Sequence, residues 1–430
     1  MSVALKPPRG MGGVRAGGRG GPFAVLDIGT SKICCLIARP RPGRGCQVLG
    51  RGYQLADGLE RGEIIDVEAA ESSIRAVLHE AEQQAGEQVT AVLAAVGAGR
   101  PRSHLMRVER PLNGRSITDE DVETALGRAR AEVLGTGAAV LHVVPVEMSV
   151  DGGRPLRDPR GVKGQLLDLL VHVVAADAQP LRTITSCLER AHLDVLGLVA
   201  APYAAGHGCL TEDELEQGCL LVDLGAGTTQ VAHFTGGNLA FVEQVLKGGE
   251  KITADVAYGL STSLREAERL KTLYGGVLWR TCDDNIRLEV PLIDDAEDEP
   301  SGEVSRTRLT FIIRSRVEEI FSELIERLRN GSDVLRARPP RSIVLTGGAA
   351  QLEGMGELAE EMFSLKVRVA RPRGLHEVPG AEDDPSWAVA AGALAMASGG
   401  DSGLGWSDGE EKRTLRSGLA RLKEWLRENF

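Results

Sequence analysis

The chain has 430 residues, 42% of them hydrophobic and 26% charged, and its 50 Lys+Arg against 61 Asp+Glu leave a formal net charge of −11. That length accommodates roughly two to four domains with full cores. An acidic field with only 3% aromatic residues excludes a protein that coats nucleic acid by phosphate neutralisation or base stacking, and it argues against attraction of the whole body to anionic lipid.

Residues 1–21 hold seven Gly and four Lys/Arg without an apolar h-region, so they read as a disordered leader and not as a secretory signal. AVLDIGTSKICCLIA (24–38) follows: an apolar run ending in Asp27, a Gly/Thr turn and a second apolar run, the pattern of a β-hairpin. A helix is expected from Asp66 to Gln84, with Val67, Ala70, Ile74, Val77 and Ala81 on one face, and a second begins at the capping-box pair Thr118 and Asp121. LLDLLVHVVAA (166–176) is the richest apolar stretch, yet Asp168 and His172 break it well short of the roughly 18 residues a membrane-spanning helix needs. A helix from Leu181 to Ala191 leads to a second hairpin, LLVDLGAGTTQVAHF (220–234).

Beyond it, a helix is expected from Ser261 or Thr262 to Gly275, then a short strand, IRLEVPLI, and an exposed acidic loop, DDAEDEP, both within 283–303. The longest helix runs from about Leu309 to Leu328 on an apolar stripe of Ile313, Val317, Ile320, Leu324 and Leu328. A strand, SIVLT (342–346), then enters a diglycine turn that opens another helix. After Ser398 the composition turns to Gly/Ser/acidic linker. The seven cysteines (34, 35, 46, 187, 209, 219 and 282) form no Cys-x-x-Cys pair and several lie in apolar runs, which fits a reducing compartment.

The two hairpins carry the chemistry. Glycines after a strand let backbone N–H groups approach phosphate oxygens, and hydroxyls add donors: Gly29, Thr30 and Ser31 in the first, Gly225, Gly227, Thr228 and Thr229 in the second. Asp27 and Asp223 end their strands where a hydrated Mg²⁺ on the phosphates would sit. One such hairpin is most simply an ordinary glycine turn; two of them 196 residues apart suggest duplicated α/β lobes facing one cleft. Gly347 and Gly348 add a third close-approach point, suited to a nucleoside or α-phosphate near a helix N-terminus. There is no GxxxxGK[ST], and neither AVGAGR (95–100) nor DLGAGT has a GxGxxG context, so P-loop and dinucleotide readings lose.

In this order the elements resemble the phosphate 1, phosphate 2 and adenosine motifs of the actin and Hsp70 ATPase superfamily. GGNLAFVEQVLKGGEKITADVAYGLSTSLREAERLKTLYG (236–275), LTFIIRSRVEEIF (309–321) and VLHVVPVEMSVDG (140–152) with DPRGVKG (158–164) narrow the resemblance to the FtsA family of bacterial cell-division proteins. It covers about residues 23–398 plus the tail. The resemblance implies an α/β actin-like fold of two lobes with duplicated mixed sheets and an FtsA-type 1C subdomain. The expected division is 22–86 and 177–218 for subdomain 1A, 87–176 for 1C, 219–250 and 340–398 for 2A, and 251–339 for 2B. A linker at 399–412 and an amphipathic helix at 413–430 complete it. It further implies ATP and Mg²⁺ as ligands, with Lys32 joining the phosphate residues, and Glu268 and Lys271 contacting ribose and adenine; from spacing alone that pair is equally a surface ion pair.

Hydrolysing relatives tend to carry a water-positioning acid or amide in the connecting segment, which here reads LVAAPYAAGHG (198–208). Without it, tight ATP binding with slow or undetectable hydrolysis is expected. His207, the nearest titratable group, is better read as packed or as a loop residue. In RTLRSGLARLKEWLRENF (413–430), Leu415, Leu419, Leu422 and Leu426 form an apolar stripe flanked by Trp425 and Phe430, and five basic side chains face two acidic ones. That is the composition of an interfacial helix for anionic lipid; a C-terminal helix docked on its own core is the usual reading of such a segment, but the preceding linker and the resemblance, whose family ends in a membrane-targeting helix, favour the membrane.

The expected function is an ATP-binding, self-associating adaptor. It tethers the FtsZ ring to the inner, cytoplasmic face of the cell membrane at the septum and recruits later divisome membrane proteins, with no nucleic-acid partner. The FtsZ tail is expected on 2B near Arg316 and Glu319. The alternatives are a pilus-assembly-type adaptor of the same fold, or a sugar kinase or polyphosphate phosphatase, which would need a carboxylate base.

Overall fold

The structure is a computed structural model, and it describes residues 21–41, 46–279, 284–291, 302–331, 333–375 and 378–397. The leader, the acidic loop, the linker and the C-terminal amphipathic helix expected from sequence lie outside the described residues.

The first lobe begins with β1 (Phe23–Ile28), β2 (Lys32–Pro40) and β3 (Cys46–Leu55), an antiparallel meander. A small hairpin, β4 (Leu59–Glu60) and β5 (Glu63–Ile64), leads to α1 (Val67–Ala85) and β6 (Ala91–Val96). Asp66 caps α1 by accepting from the N–H groups of Glu68 and Ala69, and Ala70, Ile74, Val77 and Ala81 are buried, the face its periodicity predicts. All six side chains of β1 are buried, because helices cover both faces of the sheet; such a strand reads as a continuous apolar run.

An inserted unit follows: β7 (Arg102–Pro111), α2 (Asp119–Leu134), β8 (Ala139–Val150) and β9 (Leu166–Ala176). Its sheet is antiparallel with β9 in the middle, so the richest apolar stretch is a central strand. The start expected at residue 87 is corrected: β6 pairs parallel with β1 at the heart of the first sheet, and the insert begins only after it. Thr118 and Asp121 form the capping box of α2, and Asp121, 1% exposed, also receives Arg115 and Arg110.

The chain returns through α3 (Ala178–Arg190) to β10 (Asp194–Ala200), which closes a first sheet of order β10-β6-β1-β2-β3. It then crosses through α4 (Ala201–Cys209) and α5 (Glu212–Gln217). The second lobe repeats the plan with β11 (Cys219–Leu224), β12 (Thr229–Thr235) and β13 (Asn238–Val245). Next come α6 (Gly249–Leu260), α7 (Leu264–Tyr274), the hairpin β14 (Arg287–Val290) and β15 (Gly302–Ser305), and the long α8 (Arg306–Gly331). After α9 (Asp333–Ala337), β16 (Ser342–Thr346), α10 (Met355–Phe363) and β17 (Lys366–Val369) complete a sheet of order β13-β12-β11-β16-β17. In both sheets a three-strand antiparallel meander is extended by two parallel strands, so the duplication inferred from the hairpins extends through each lobe.

Three expectations shift. The diglycine at 347–348 opens only a 3₁₀ turn (Gly348–Gln351), and α10 starts at Met355. Helix α7 starts at Leu264 because the Ser263 hydroxyl caps it by accepting from Glu266 N–H, and α6 before it was not anticipated. Last, α11 (Ala388–Ala397), assigned by sequence to the second lobe, packs in the core of the first against β1, β2 and β6, while α4 reaches β11 and β12 of the second. The two helices cross at glycines: a Cβ on Gly392 would lie 1.6 Å from the Ala204 carbonyl oxygen, and one on Gly208 1.9 Å from that of Ala388. This crossing locks one lobe to the other behind the cleft.

Candidate functional site

Between the lobes lies a cleft of about 530 Å³. The two hairpins enter it from opposite sides with matching turns: Gly29 N–H donates to the Lys32 carbonyl (3.1 Å), and Gly225 N–H donates to that of Thr228 (3.0 Å). Each acceptor stands five residues after its aspartate. The structure therefore brings together Asp27, Gly29, Thr30, Ser31 and Lys32 with Asp223, Gly225 and Thr228.

Asp27 is buried and Asp223 half-buried where they line the cleft. Desolvation pushes the Asp27 carboxyl up to about 7, against the pull of Lys32 and with a further push from Asp223; burial likewise raises Asp223 to about 6. Two neighbouring carboxylates with one partial counter-cation fit a bound cation. The donor set suits Mg²⁺, which takes few carboxylates and fills its shell with water and phosphate oxygens; among the described residues no group of three or more His, Cys, Asp or Glu forms a complete metal cage. Lys32 also lies 5.5 Å from the ring centroid of Tyr53, which lines the same cleft.

On the outer wall, Gly347, Gly348, Glu268 and Lys271 line the cleft. Gly347 has φ +86°, and a Cβ there would sit 2.4 Å from Asp223 Oδ1, so only glycine lets β16 pass the aspartate. Glu268 and Lys271 form the ion pair that their spacing allowed, at the cleft edge: Lys271, 11% exposed, donates from Nζ to Glu268 Oε2 (2.6 Å), Thr253 Oγ1 (2.8 Å) and the Gly249 carbonyl (3.2 Å).

Two expected residues stand apart. Gly227 does not line the cleft; it packs under Thr30 and Arg61 of the opposite lobe, where a Cβ would meet the Arg61 Cα at 2.8 Å. Thr229 is fully buried with its hydroxyl donated to the Lys247 carbonyl, so it fastens β12 to the strand end beside it. Arg316 and Glu319 lie on α8, where Arg316 holds Asp255 of α6 through two guanidinium nitrogens and also bonds Glu319, and Lys247 holds Glu319 at 2.7 Å.

The connecting segment presents only Ala201 to the cleft. His207 is packed against Tyr203 (ring centroids 4.8 Å apart) and Phe234 (6.3 Å), and burial holds its imidazole down to about 4. Sequence reasoning missed Gly62, Gly97, Gln230, the Gly249–Glu250 corner and Asp384 with Ser386, all of which line the cleft. The KGGE run repeats the diglycine signal; Gly97 and Asp384 had no spacing to mark them.

A family model described as "Cell division protein FtsA" matches residues 220–392, and one described as "SHS2 domain inserted in FTSA" matches 98–175, the inserted unit. The chain is 36% identical over 422 residues to "Cell division protein FtsA" of Rhizobium meliloti (strain 1021), covering 95% of this chain and 94% of the relative. It is 29% identical over 414 residues to that of Escherichia coli (strain K12), covering 94% and 97%. Two solved structures are similar in fold. The "PilM-PilN type IV pilus biogenesis complex" has a TM-score of 0.61 at 18% identity, covering 86% of this chain and 97% of that one. MreB5 of Spiroplasma citri bound to AMPPNP has 0.53 at 15% identity, covering 87% and 95%. The two lobes have the actin-like ATPase fold. With relatives matched over nearly their whole length and the inserted sheet where the family model has it, the chain belongs to the FtsA family of cell-division proteins.

Proposed function

We propose that this protein is an ATP-binding, self-associating adaptor that links the FtsZ ring to the cytoplasmic face of the membrane at the division site and recruits later division proteins. The observation that carries the reading is the convergence of both aspartate hairpins and the diglycine turn on one cleft. Asp27 and Asp223 would hold Mg²⁺ through water, the hairpin N–H groups and hydroxyls of Thr30, Ser31 and Thr228 would take the β- and γ-phosphates, and Glu268 and Lys271 the nucleoside. MreB5, similar in fold, is described with AMPPNP bound. With Ala201 facing the cleft from the connecting segment, turnover stays below about 1 s⁻¹.

The partner surface of this reading is the face formed by α6, α7 and α8. Tyr258 (91% exposed), Leu264, Phe311 and Trp279 leave apolar area in solvent there, and the Arg316 and Glu319 network adjoins it. Membrane attachment falls to the helix at 413–430, whose leucine stripe and basic flank suit an anionic bilayer; self-association multiplies the weak hold of each copy.

Two measurements test this. Titration calorimetry with Mg²⁺ and a non-hydrolysable ATP analogue should give saturable binding that Asp223→Asn weakens at least ten-fold; no binding by the wild-type chain refutes the nucleotide reading. Co-sedimentation with anionic vesicles should be lost on deleting 413–430, or with Leu422→Glu plus Trp425→Glu, while nucleotide binding persists. Undiminished sedimentation of the truncated chain would refute the anchor.

A further inference from the structure

Two cations line the cleft among the described residues, Lys32 and Lys271, and their surroundings differ. Lys271 is engaged by three oxygens, whereas the half-buried Lys32 makes no side-chain hydrogen bond or ion pair among the described residues. Its ammonium lies over the ring of Tyr53, 5.5 Å from the centroid, within the range of a cation–π contact. The equivalent position of the second hairpin, five residues after Asp223, is Thr228, so this cation is supplied by one lobe only.

The first sheet sets the contact. Its register brings Asp27, Cys34 and Tyr53 into one row across β1, β2 and β3, and Lys32, two residues before Cys34, stands diagonal to Tyr53 on the same face. The opposite face of β3 is pressed onto α1: a Cβ on Gly50 would lie 2.2 Å from the Ala81 carbonyl oxygen, and one on Gly52 2.1 Å from that of Val77. Strand alternation therefore turns Tyr53 away from α1, while its N–H donates to Glu80 Oε2 of that helix (3.0 Å). The Tyr53 ring meets Trp387, 2% exposed, with centroids 6.2 Å apart. Trp387 N–H in turn donates to the Asp384 carbonyl (3.0 Å), and the Asp384 carboxylate accepts from Gln351 Nε2 (3.0 Å) next to the diglycine turn. Helix α1 and Trp387 thus fix Tyr53 from two sides, and its ring, 44% exposed, lines the cleft beside Lys32.

We propose that Tyr53 is a positioning residue for bound nucleotide: its ring holds the Lys32 ammonium inside the cleft, ready for the terminal phosphates of ATP. This rests on the nucleotide reading above. A lysine left in solvent has many rotamers to lose when it meets a phosphate, and holding it beforehand raises affinity without any new contact to the ligand. A ring face suits the task because it attracts the cation without taking up its N–H donors; a carboxylate in the same place would compete with phosphate for them. Tyr53 carries no motif spacing of its own, and only the sheet register brings it to Lys32.

The test titrates the full chain with Mg²⁺ and a non-hydrolysable ATP analogue, alongside Tyr53→Leu, Tyr53→Phe, Lys32→Ala and the double variant Tyr53→Leu with Lys32→Ala. Tyr53→Leu should weaken binding roughly 3- to 10-fold, and Tyr53→Phe, which keeps the ring face, should stay within about two-fold of wild type. In the Lys32→Ala background Tyr53→Leu should add nothing, because the ring acts only through the cation. The same loss in both backgrounds would mean that Tyr53 acts on the nucleotide directly or through folding, and overturns the proposal. Tighter binding by Tyr53→Leu, a ring that competes with phosphate for the lysine, overturns it too, as does a loss in Tyr53→Phe as large as that in Tyr53→Leu. Where the Lys32→Ala chain binds too weakly for the cycle, the comparison of Tyr53→Phe with Tyr53→Leu decides alone. Unchanged affinity in Lys32→Ala overturns the proposal and leaves the nucleotide reading standing; no saturable binding by the wild-type chain refutes that reading, and the proposal with it.

Discussion

Asp27 and Asp223 are held in a state that the free protein tolerates poorly. Their folded pKa values, about 7 and 6, stand above the ordinary 3.8 of an unfolded aspartate. The folded chain therefore binds protons that the unfolded chain does not, and the two groups make stability fall as pH rises from about 4 to 7. Asp27→Asn removes one of these charges. In denaturant melts at pH 7.5 without nucleotide it should be more stable than wild type by roughly 1–3 kcal/mol, the difference shrinking towards pH 4, while Mg²⁺-dependent nucleotide affinity falls. A variant that is less stable at pH 7.5 would mean that the aspartate is well paired rather than strained. A site assembled to receive a cation carries this signature of charge awaiting a partner.

Among the elements, the crossing of α4 with α11 bears most of the relation between lobes. Helix α11 is AVAAGALAMA, mostly small residues, and nine of its ten residues are buried, so its value lies in close approach to neighbours on both faces. Gly392→Val would drive methyl groups into the Ala204 carbonyl, and no flexible side chain is there to yield. We expect a loss of about 3 kcal/mol or more, read as a lowered urea midpoint, with Ala395→Ser on the half-buried side of the same helix near neutral as the control. A second junction ties the insert to the far lobe. His172 of β9 contacts the Leu239 carbonyl (3.1 Å) through Nδ1 and Ser103 Oγ (2.9 Å) through Nε2, and Val242 N–H donates to the same hydroxyl (2.7 Å). Ser103→Ala leaves Val242 N–H and His172 Nε2 without that partner, so hydrogen exchange should rise in β7, β9 and β13 together, whereas a purely local effect would spare β13.

At the scale of the whole molecule, the buried His142, His172 and His233 and the half-buried His207 set the acid limit among the described residues. Desolvation holds His142 down to about 3 and His172, His207 and His233 to about 4, so the fold keeps them neutral while the unfolded chain protonates them below 6.5. Stability that is fully present above that pH is lost as pH falls towards 4. The two raised aspartates act in the opposite direction, leaving a net uptake of roughly two protons on unfolding and a slope of about 2–3 kcal/mol per pH unit at its steepest. His207→Phe, which retains a ring against Tyr203 and Phe234, should flatten that slope by about one proton without moving stability at pH 8 much. An unaltered slope would show that His207 does not titrate on unfolding.

The local patterns of this chain were strong where chemistry requires a residue type at a set spacing. The two Asp-x-Gly hairpins, the diglycine, the capping box of α2 and the stripes of α1 and α8 could be read directly, because strand, turn and helix periodicities are short-range. With the family motifs they sufficed for the fold class and most of the cleft. What pairs with what was decided only in three dimensions. Nothing local marks β6 as the middle of the first sheet, since a buried parallel strand is merely a short apolar run, and so the insert's start was misplaced. Nothing local sends α11 back to the first lobe, for a helix that is small and apolar all round carries no directional face. Thr228, Thr229 and Gln230 read alike in sequence as polar residues after a turn; the strand's alternation turns Thr229 into the scaffold and presents its two neighbours to the cleft.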